Sequence, residues 1–221
     1  MAERKAHVER NTSETKIIVD LNLDGSGKYD IDTGIGFFDH MLNSFAKHGF
    51  FDLTCKVDGD LEVDCHHTIE DTGIVLGQAI REAVGDKKGI CRFGNFLLPM
   101  DETLALCAVD LSGRPYLNYN AEFVSDKMGE MDTEMVREFF YCVCDLPFTV
   151  ERVGGFDTEM VQEFFYAISY SAAMNLHLKL MHGSNNHHIM EAAFKAFAKA
   201  LDEACSYDPR ITDVLSTKGA L

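Results

Sequence analysis

His66-His67-Thr68-Ile69-Glu70-Asp71 and His187-His188-Ile189-Met190-Glu191 are the two stretches on which the reading of this chain turns. Each has two adjacent histidines and a glutamate three residues beyond the second. On a helix, His67 and Glu70 share a face, and His66 nearly joins them. Adjacent helical residues point about 100° apart, so the two rings of each pair face different places. Each run leads into a stretch with helical apolar spacing: Ile74, Leu76, Ala79, Ile80 and Ala83 after the first, Ala192, Phe194, Phe197 and Leu201 after the second. Solvated histidines at helix starts would have to recur by chance at matching places. A duplicated scaffold that presents metal ligands twice accounts for both runs. Imidazole with carboxylate suits Mn, Fe, Zn or Ni, whereas Mg and Ca favour oxygen alone.

The chain around these runs has 221 residues and an apolar fraction of 46%, enough for one large domain or two small intimate ones. Its formal net charge of −16 argues against a nucleic-acid partner, which would meet a basic face. A small anionic substrate still fits if a few Arg and Lys gather in one pocket. No apolar run approaches membrane-spanning length, and MAERKAHVERN lacks the apolar region of a signal peptide. The seven cysteines sit within apolar segments and read as reduced thiols of a cytoplasmic protein.

Upstream of the first run, Thr15 to Leu23 alternates as a strand, with Glu14 at its mouth. Asp24-Gly25-Ser26-Gly27 is a turn, and Lys28 to Asp32 is expected to return as the partner strand. Phe37 to Lys47 has helical spacing and carries His40, with His48 at its end before Gly49. Phe51 to Val57 and Asp60 to Asp64 read as a hairpin around Asp58-Gly59, delivering the chain into His66. Arg92, in the basic stretch KKGICRFG, is a candidate for anion binding or for a surface salt bridge.

The second half repeats this order. Asp101-Glu102-Thr103 and LALCAVDLSGRPYL parallel Glu14-Thr15 and KIIVDLNLDGSGKY, with Arg114 about where Lys28 stands. A strand from Asn175 to Met181 then precedes His187-His188. We therefore expect an α+β fold that is internally duplicated. Its pseudo-two-fold-related halves, 1–93 and 94–221, each form a mostly antiparallel sheet with helices on one face, and the halves pack helix to helix. A shorter repeat lies within 118–167: Gly129 to Tyr141 recurs as Gly154 to Tyr166, an offset of 25 residues. The second copy leads directly into the strand before His187, so it is expected to dock as the counterpart of the His40 helix. That sets Glu163 opposite His40 in the repeat, with Glu138 in the surplus copy. The C-terminal stretch from Tyr207 reads as a polar tail carrying Lys218.

Ligand candidates thus arise in two matching sets: His40, His66, His67 and Glu70, then Glu163, His187, His188 and Glu191. Because adjacent histidines diverge, two metal sites, each drawing on both halves or on neighbouring subunits, are more natural than one. Arg92, Arg114, Lys195 and Lys218 could hold an anion such as phosphate. A metal, an anion clamp and a spare carboxylate suit proton abstraction with elimination.

DTGIGFFDHML, DCHHTIEDTGIVLGQA, PMDETLA, VDLSGRPYL and HHIMEAAFKAFAKAL together resemble the imidazoleglycerol-phosphate dehydratase family, nearly end to end. The resemblance implies a lyase of histidine biosynthesis that converts D-erythro-imidazole-glycerol phosphate to imidazole-acetol phosphate. It implies Mn²⁺ at two sites per active site, a 24-mer with active sites between subunits, and a small phosphorylated imidazole substrate. Carried over by position, His40, His66, His67, Glu70, His187, His188 and Glu191 match metal ligands. Glu14, His40 and His48 match substrate-lining positions, and Arg92, Arg114, Lys195, Ser216 and Lys218 match a phosphate grip. Glu14 and Glu191 are the candidates for the base. This chain departs from the family at Glu163, where many members have histidine, and in the 25-residue duplication. A metal-dependent hydrolase using the same ligands, or a non-catalytic metal-organised assembly, are the competing readings.

Overall fold

The computed structural model describes residues 4–115, 127–128, 131–132, 143–146, 148–153 and 155–220. The first half supplies strands β1 (Lys5–Asn11), β2 (Thr15–Asn22), β3 (Tyr29–Asp32) and β4 (Asp52–Gly59), with helices α1 (Gly36–Gly49) and α2 (His66–Val84). The second half supplies β5 (Phe93–Met100) and β6 (Thr103–Asp110), then short strands β7 (Lys127–Met128), β8 (Met131–Asp132), β9 (Val143–Asp145), β10 (Arg152–Val153) and β11 (Phe156–Asp157). It closes with α3 (Met160–Ser171), β12 (Asn175–His182) and α4 (Asn186–Cys205).

The duplication is written in the sheets. One has the order β1-β2-β4-β3, the other β5-β6-β12-β9. In each, three strands pair antiparallel and the last joins in parallel, β3 on β4 and β9 on β12. Alternate residues of β2 and β6 are buried, the two-residue period of a sheet with one covered face.

Two expectations fail here. Lys28 to Asp32 does not return along the first strand: β3 pairs with β4, and β2 is flanked instead by β1 and β4. The alternation of Ala6 and Val8 in the N-terminal stretch marks that extra strand, as Phe93 to Met100 marks β5; the sequence reading passes over both. Nor do Asp60 to Asp64 form a strand. The β2–β4 ladder runs through Gly59, opposite Thr15, and the chain then turns, with the Val63 amide donating to the Asp60 carbonyl at 2.8 Å. The aspartates that make the stretch look like a strand end instead turn their side chains to local backbone and to His67.

The helices cross between halves. α1 packs on α4, and α3 packs on α2. Phenylalanines interlock this layer: Phe45 stacks on Phe197 at 5.4 Å, Phe164 on Phe194 at 5.1 Å, and Phe38 meets Phe164 edge-on at 5.3 Å. Gly73 and Gly77 let α2 approach α3 closely. A Cβ at Gly77 would stand 2.7 Å from the Ile168 carbonyl oxygen, and one at Gly73 2.9 Å from that of Phe164.

The tandem repeat is visible as well. The β7–β8 and β10–β11 hairpins have the same register, Met128 opposite Met131 and Val153 opposite Phe156. The second copy leads into α3, which carries Glu163 against α2; Glu138 lies outside the described residues. The C-terminal stretch is not a free tail. Ile90 bridges to Tyr207 and Lys88 to Val214.

Candidate active site

Both HHxxE runs have a side-chain acceptor two residues before the first histidine, although only Asn185 is itself the N-cap of its helix. The Asp64 carboxylate accepts the His66 amide at 2.8 Å, and Asn185 accepts the amides of His187 and His188 at 2.9 and 3.4 Å. A side-chain acceptor two residues before the first histidine satisfies amides that a helix start leaves free. Each histidine pair is thereby fixed on the first turn of its helix, and the glutamate follows one turn later.

The diverging rings join different partners. His187 Nε2 lies 3.0 Å from Glu191 Oε2, and His40 Nε2 lies 3.4 Å from the same oxygen. Lys195 Nζ meets the other oxygen, Oε1, at 2.7 Å. His40, His187 and Glu191 offer three ligand atoms within 4.8 Å of one another, a set that could hold a metal ion. Burial pushes the Glu191 carboxyl up, but the bond from Lys195 and then that from His187 outweigh it, so its pKa is held below the usual carboxylate range.

The matching set in the first half is looser. His66 Nε2 lies 3.4 Å from Glu70 Oε2. Glu163, on α3 packed against α2, is near enough to feel both charges: burial raises its pKa, His66 opposes the rise, and the negative Glu70 adds to it. Each set therefore spans the halves. His40 on α1 joins the second run, and Glu163 on α3 joins the first.

The remaining histidine of each pair turns to other carboxylates. His67 Nδ1 bonds Asp60 at 3.0 Å, with its Nε2 3.8 Å from Glu14 Oε2. His188 Nδ1 bonds Glu102 at 2.7 Å, with its Nε2 3.7 Å from Asp101. The sequence reading misses Asp60, Asp101 and Glu102. It also misses Asp71 of HHTIED, which anchors α2 by accepting from Arg10 at 3.0 Å and Thr15 at 2.5 Å.

The anion candidates divide. Arg92, Arg114, Ser216 and Lys218 line one cleft of about 680 Å³, together with Arg210. Arg92 is partly committed there. It grips Asp110 with Nε at 2.7 Å and Nη2 at 3.1 Å, and Nη1 donates to the Leu215 carbonyl. Lys195 lies apart from these, on Glu191. His48 ends α1, its Nδ1 donating to the Ser44 carbonyl at 2.8 Å.

A mixed imidazole and carboxylate donor set fits a divalent transition-metal cation, Mn²⁺ among them. Two imidazole nitrogens and a carboxylate converge in the second-half set, and one imidazole lies beside one carboxylate in the first, with no thiolate among them.

Comparison with known proteins gives the family. A family model described as Imidazoleglycerol-phosphate dehydratase matches residues 33–145 and 140–201, the two segments overlapping inside the tandem repeat. The imidazoleglycerol-phosphate dehydratase of Lachnoclostridium phytofermentans is 62% identical over 218 residues, covering 99% of this chain and 98% of its own. That of Acetivibrio thermocellus is 52% identical over 219 residues, 99% of this chain and 100% of its own. The crystal structure of the Staphylococcus aureus imidazoleglycerol-phosphate dehydratase superposes with a TM-score of 0.72 at 37% identity, over 92% of this chain and 99% of that one. A Pyrococcus furiosus structure gives a TM-score of 0.72 at 34% identity, over 97% and 100%. The chain belongs to the imidazoleglycerol-phosphate dehydratase family.

Proposed function

We propose that the two His–carboxylate sets are the metal-binding parts of a site that dehydrates D-erythro-imidazole-glycerol phosphate to imidazole-acetol phosphate, in histidine biosynthesis. The observation that carries this reading is the union of His40, His187, Glu191 and Lys195 from two halves, in a chain of this family. Mn²⁺ is the cofactor we assign, at two sites per active site. His40, His187 and Glu191 contribute to one, and His66, Glu70 and Glu163 to the other. His67 and His188, which point away from these sets, complete sites on neighbouring copies in a 24-mer. The halves divide at 1–93 and 94–221, a boundary that falls at the first residue of β5. Among the described residues Cys55, Cys65, Cys91, Cys107 and Cys205 form no disulfide, which suits a reducing cytoplasm, and no helix is long and apolar enough to cross a membrane.

Dehydration removes a carbon-bound proton and a hydroxyl, leaving an enol that becomes the ketone product. Bound metal would supply positive charge at the imidazole ring, where negative charge gathers as that proton leaves. The chain's own residues do the rest. Arg114, Ser216 and Lys218 bind the phosphate in their cleft, and Arg92, braced on Asp110, shapes it. Lys195 neutralises Glu191 and stands ready for an anionic group. His48 lines the substrate's approach. Of the two candidate bases, Glu14 fits better, because both oxygens of Glu191 are already engaged while the Glu14 carboxylate is half exposed beside His67.

The test is an assay of the purified protein with Mn²⁺, offering imidazole-glycerol phosphate in one arm and simple phosphoesters in the other. Dehydration in the first arm is expected. Phosphate release in the second, with none in the first, would make the protein a hydrolase. Metal-loaded particles inert in both arms would make it a non-catalytic assembly.

A further inference from the structure

Glu14 and Glu102 hold equivalent places in the repeat. Each precedes a buried threonine, Thr15 or Thr103, that opens an inner strand of its sheet. Each stands near the second histidine of its half. Yet they do different things. Glu102 holds its histidine directly: Oε2 takes His188 Nδ1 at 2.7 Å while Oε1 takes the Asn185 amide at 3.0 Å, so one carboxylate clamps the ring and the helix start together. Glu14 makes no such bond to Nδ1 of His67. Asp60 does, with distances of 3.0 and 3.2 Å to its two oxygens.

The difference has a structural origin. In both halves a glycine at the exit of the outgoing strand, the last residue of β4 and the first after β12, packs against threonine. Gly59 lies against Thr68 and Thr15, and Gly183 against Thr103, where a Cβ would come within 2.6 Å of Oγ1. The next residue is Asp60 in the first half and Ser184, which is exposed, in the second. Only the first half therefore has a carboxylate on that loop. Asp60 is further fixed by its own amide, which donates to the Glu14 carbonyl at 3.1 Å.

We infer that Asp60 and Glu102 are positioning residues for His67 and His188, and that Asp60, by taking the ring, leaves the Glu14 carboxylate available to substrate. A carboxylate is an acceptor only, so each ring must carry its proton on Nδ1. In the neutral ring Nε2 is then the lone-pair nitrogen, aimed away from the anchoring carboxylate and able to ligate. An anchored imidazole is both preoriented and more basic, and losing such an anchor weakens metal binding about 10–100-fold in general. The inference rests on the metal-site reading above.

The test is an Mn²⁺ titration of the assembled protein, followed by the electron paramagnetic resonance of free Mn²⁺, with kcat at saturating metal as a second readout. Asp60→Ala and Glu102→Ala should each weaken Mn²⁺ binding about 10–100-fold, with Asp60→Asn and Glu102→Gln, which keep an uncharged acceptor, intermediate. At saturating Mn²⁺, Glu102→Ala should recover kcat. Asp60→Ala should not, because Glu14 is then drawn to the unanchored ring. Wild type that binds no Mn²⁺ overturns the metal reading itself. Wild type that binds, with all four variants binding equally well at unchanged particle size, overturns the positioning role. Equal recovery of kcat by both alanine variants overturns the release of Glu14. Should an alanine variant not fold, the amide variants decide alone.

Discussion

Glu191 and Glu70 sit at matching places on matching helices, yet their surroundings carry opposite charge. Four residues beyond Glu191 is Lys195, bonded to it at 2.7 Å; four residues beyond Glu70 is Ile74. Across from Glu191 stands His40, and across from Glu70 stands another acid, Glu163. One set is a carboxylate with two rings and an ammonium, the other two carboxylates with one ring. The same scaffold thus builds a compact, charge-balanced set and a looser acidic one that gains more from a cation. The comparison also shows how little of a site the backbone repeat dictates. The repeat fixes where side chains stand, and single substitutions along one helix face decide the balance.

The comparison can be broken most decisively at the packing that holds Glu163 in place. Phe164 is buried between Phe38 and Phe194, so Phe164→Ala should cost about 3–5 kcal/mol in chemical unfolding. Phe139→Ala, the same change in the other copy of the tandem repeat, should cost distinctly less. Equal costs would mean that the copies share the docking role. Next come the ligands. Glu191→Ala and Glu70→Ala should each weaken Mn²⁺ binding by at least the roughly 10–100-fold that loss of a ligand's outer-shell partner costs, and Glu163→Ala should do so while Glu138→Ala does not. His67→Ala should lower metal affinity and destabilise the assembly together, read by metal content and particle size. Metal-free particles of unchanged size and stability would count against shared sites.

A smaller effect belongs to Lys195. Lys195→Met should lower stability at neutral pH by about 2 kcal/mol, measured on metal-free protein. Because the folded-state pKa of Glu191 is depressed, this contribution is present above the unfolded carboxylate pKa and fades as pH falls through the folded one. The subtlest expectation has the opposite sign. Burial raises the pKa of Glu163, so the metal-free protein binds its proton more tightly folded than unfolded. Its contribution is present at low pH and is lost as pH rises through the raised value. Glu163→Gln should flatten that part of the melting-temperature profile, and Glu191→Gln should flatten the acid limb. Identical changes in both variants would show that the two sets titrate alike.

Much of the architecture is legible in the amino-acid pattern. The HHxxE runs, the repeated Glu-Thr openings and the helical spacing of Ile74 to Ala83 mark the duplication and its α+β class. What misleads is local. Asp60 to Asp64 alternates like a strand, but its aspartates cap and anchor neighbouring groups, and the contest between side-chain and ladder bonding is settled by tertiary neighbours. Sequential strands usually pair, which points β3 to β2. Here α1 intervenes between β3 and β4, and β3 takes the far edge of the sheet. The two tandem copies cannot be ranked from packing residues alone. Met135, Val136, Phe139 and Phe140 are identical to Met160, Val161, Phe164 and Phe165. The short link from Ser171 to Asn175 favours the second copy.

The sequence by itself determined which residue types can bind metal and anion, that they come in two sets, and which family they mark, because those follow from identity and spacing along the chain. Only the tertiary structure decided their partners. α1 packs on α4 and α3 on α2, so His40 meets the distant run instead of the one that follows it, and Glu163 meets the first. Spacing along one helix fixes the direction of a side chain relative to its own axis. The group it faces depends on how apolar faces of separate helices bury one another, and those contacts join residues far apart in the chain.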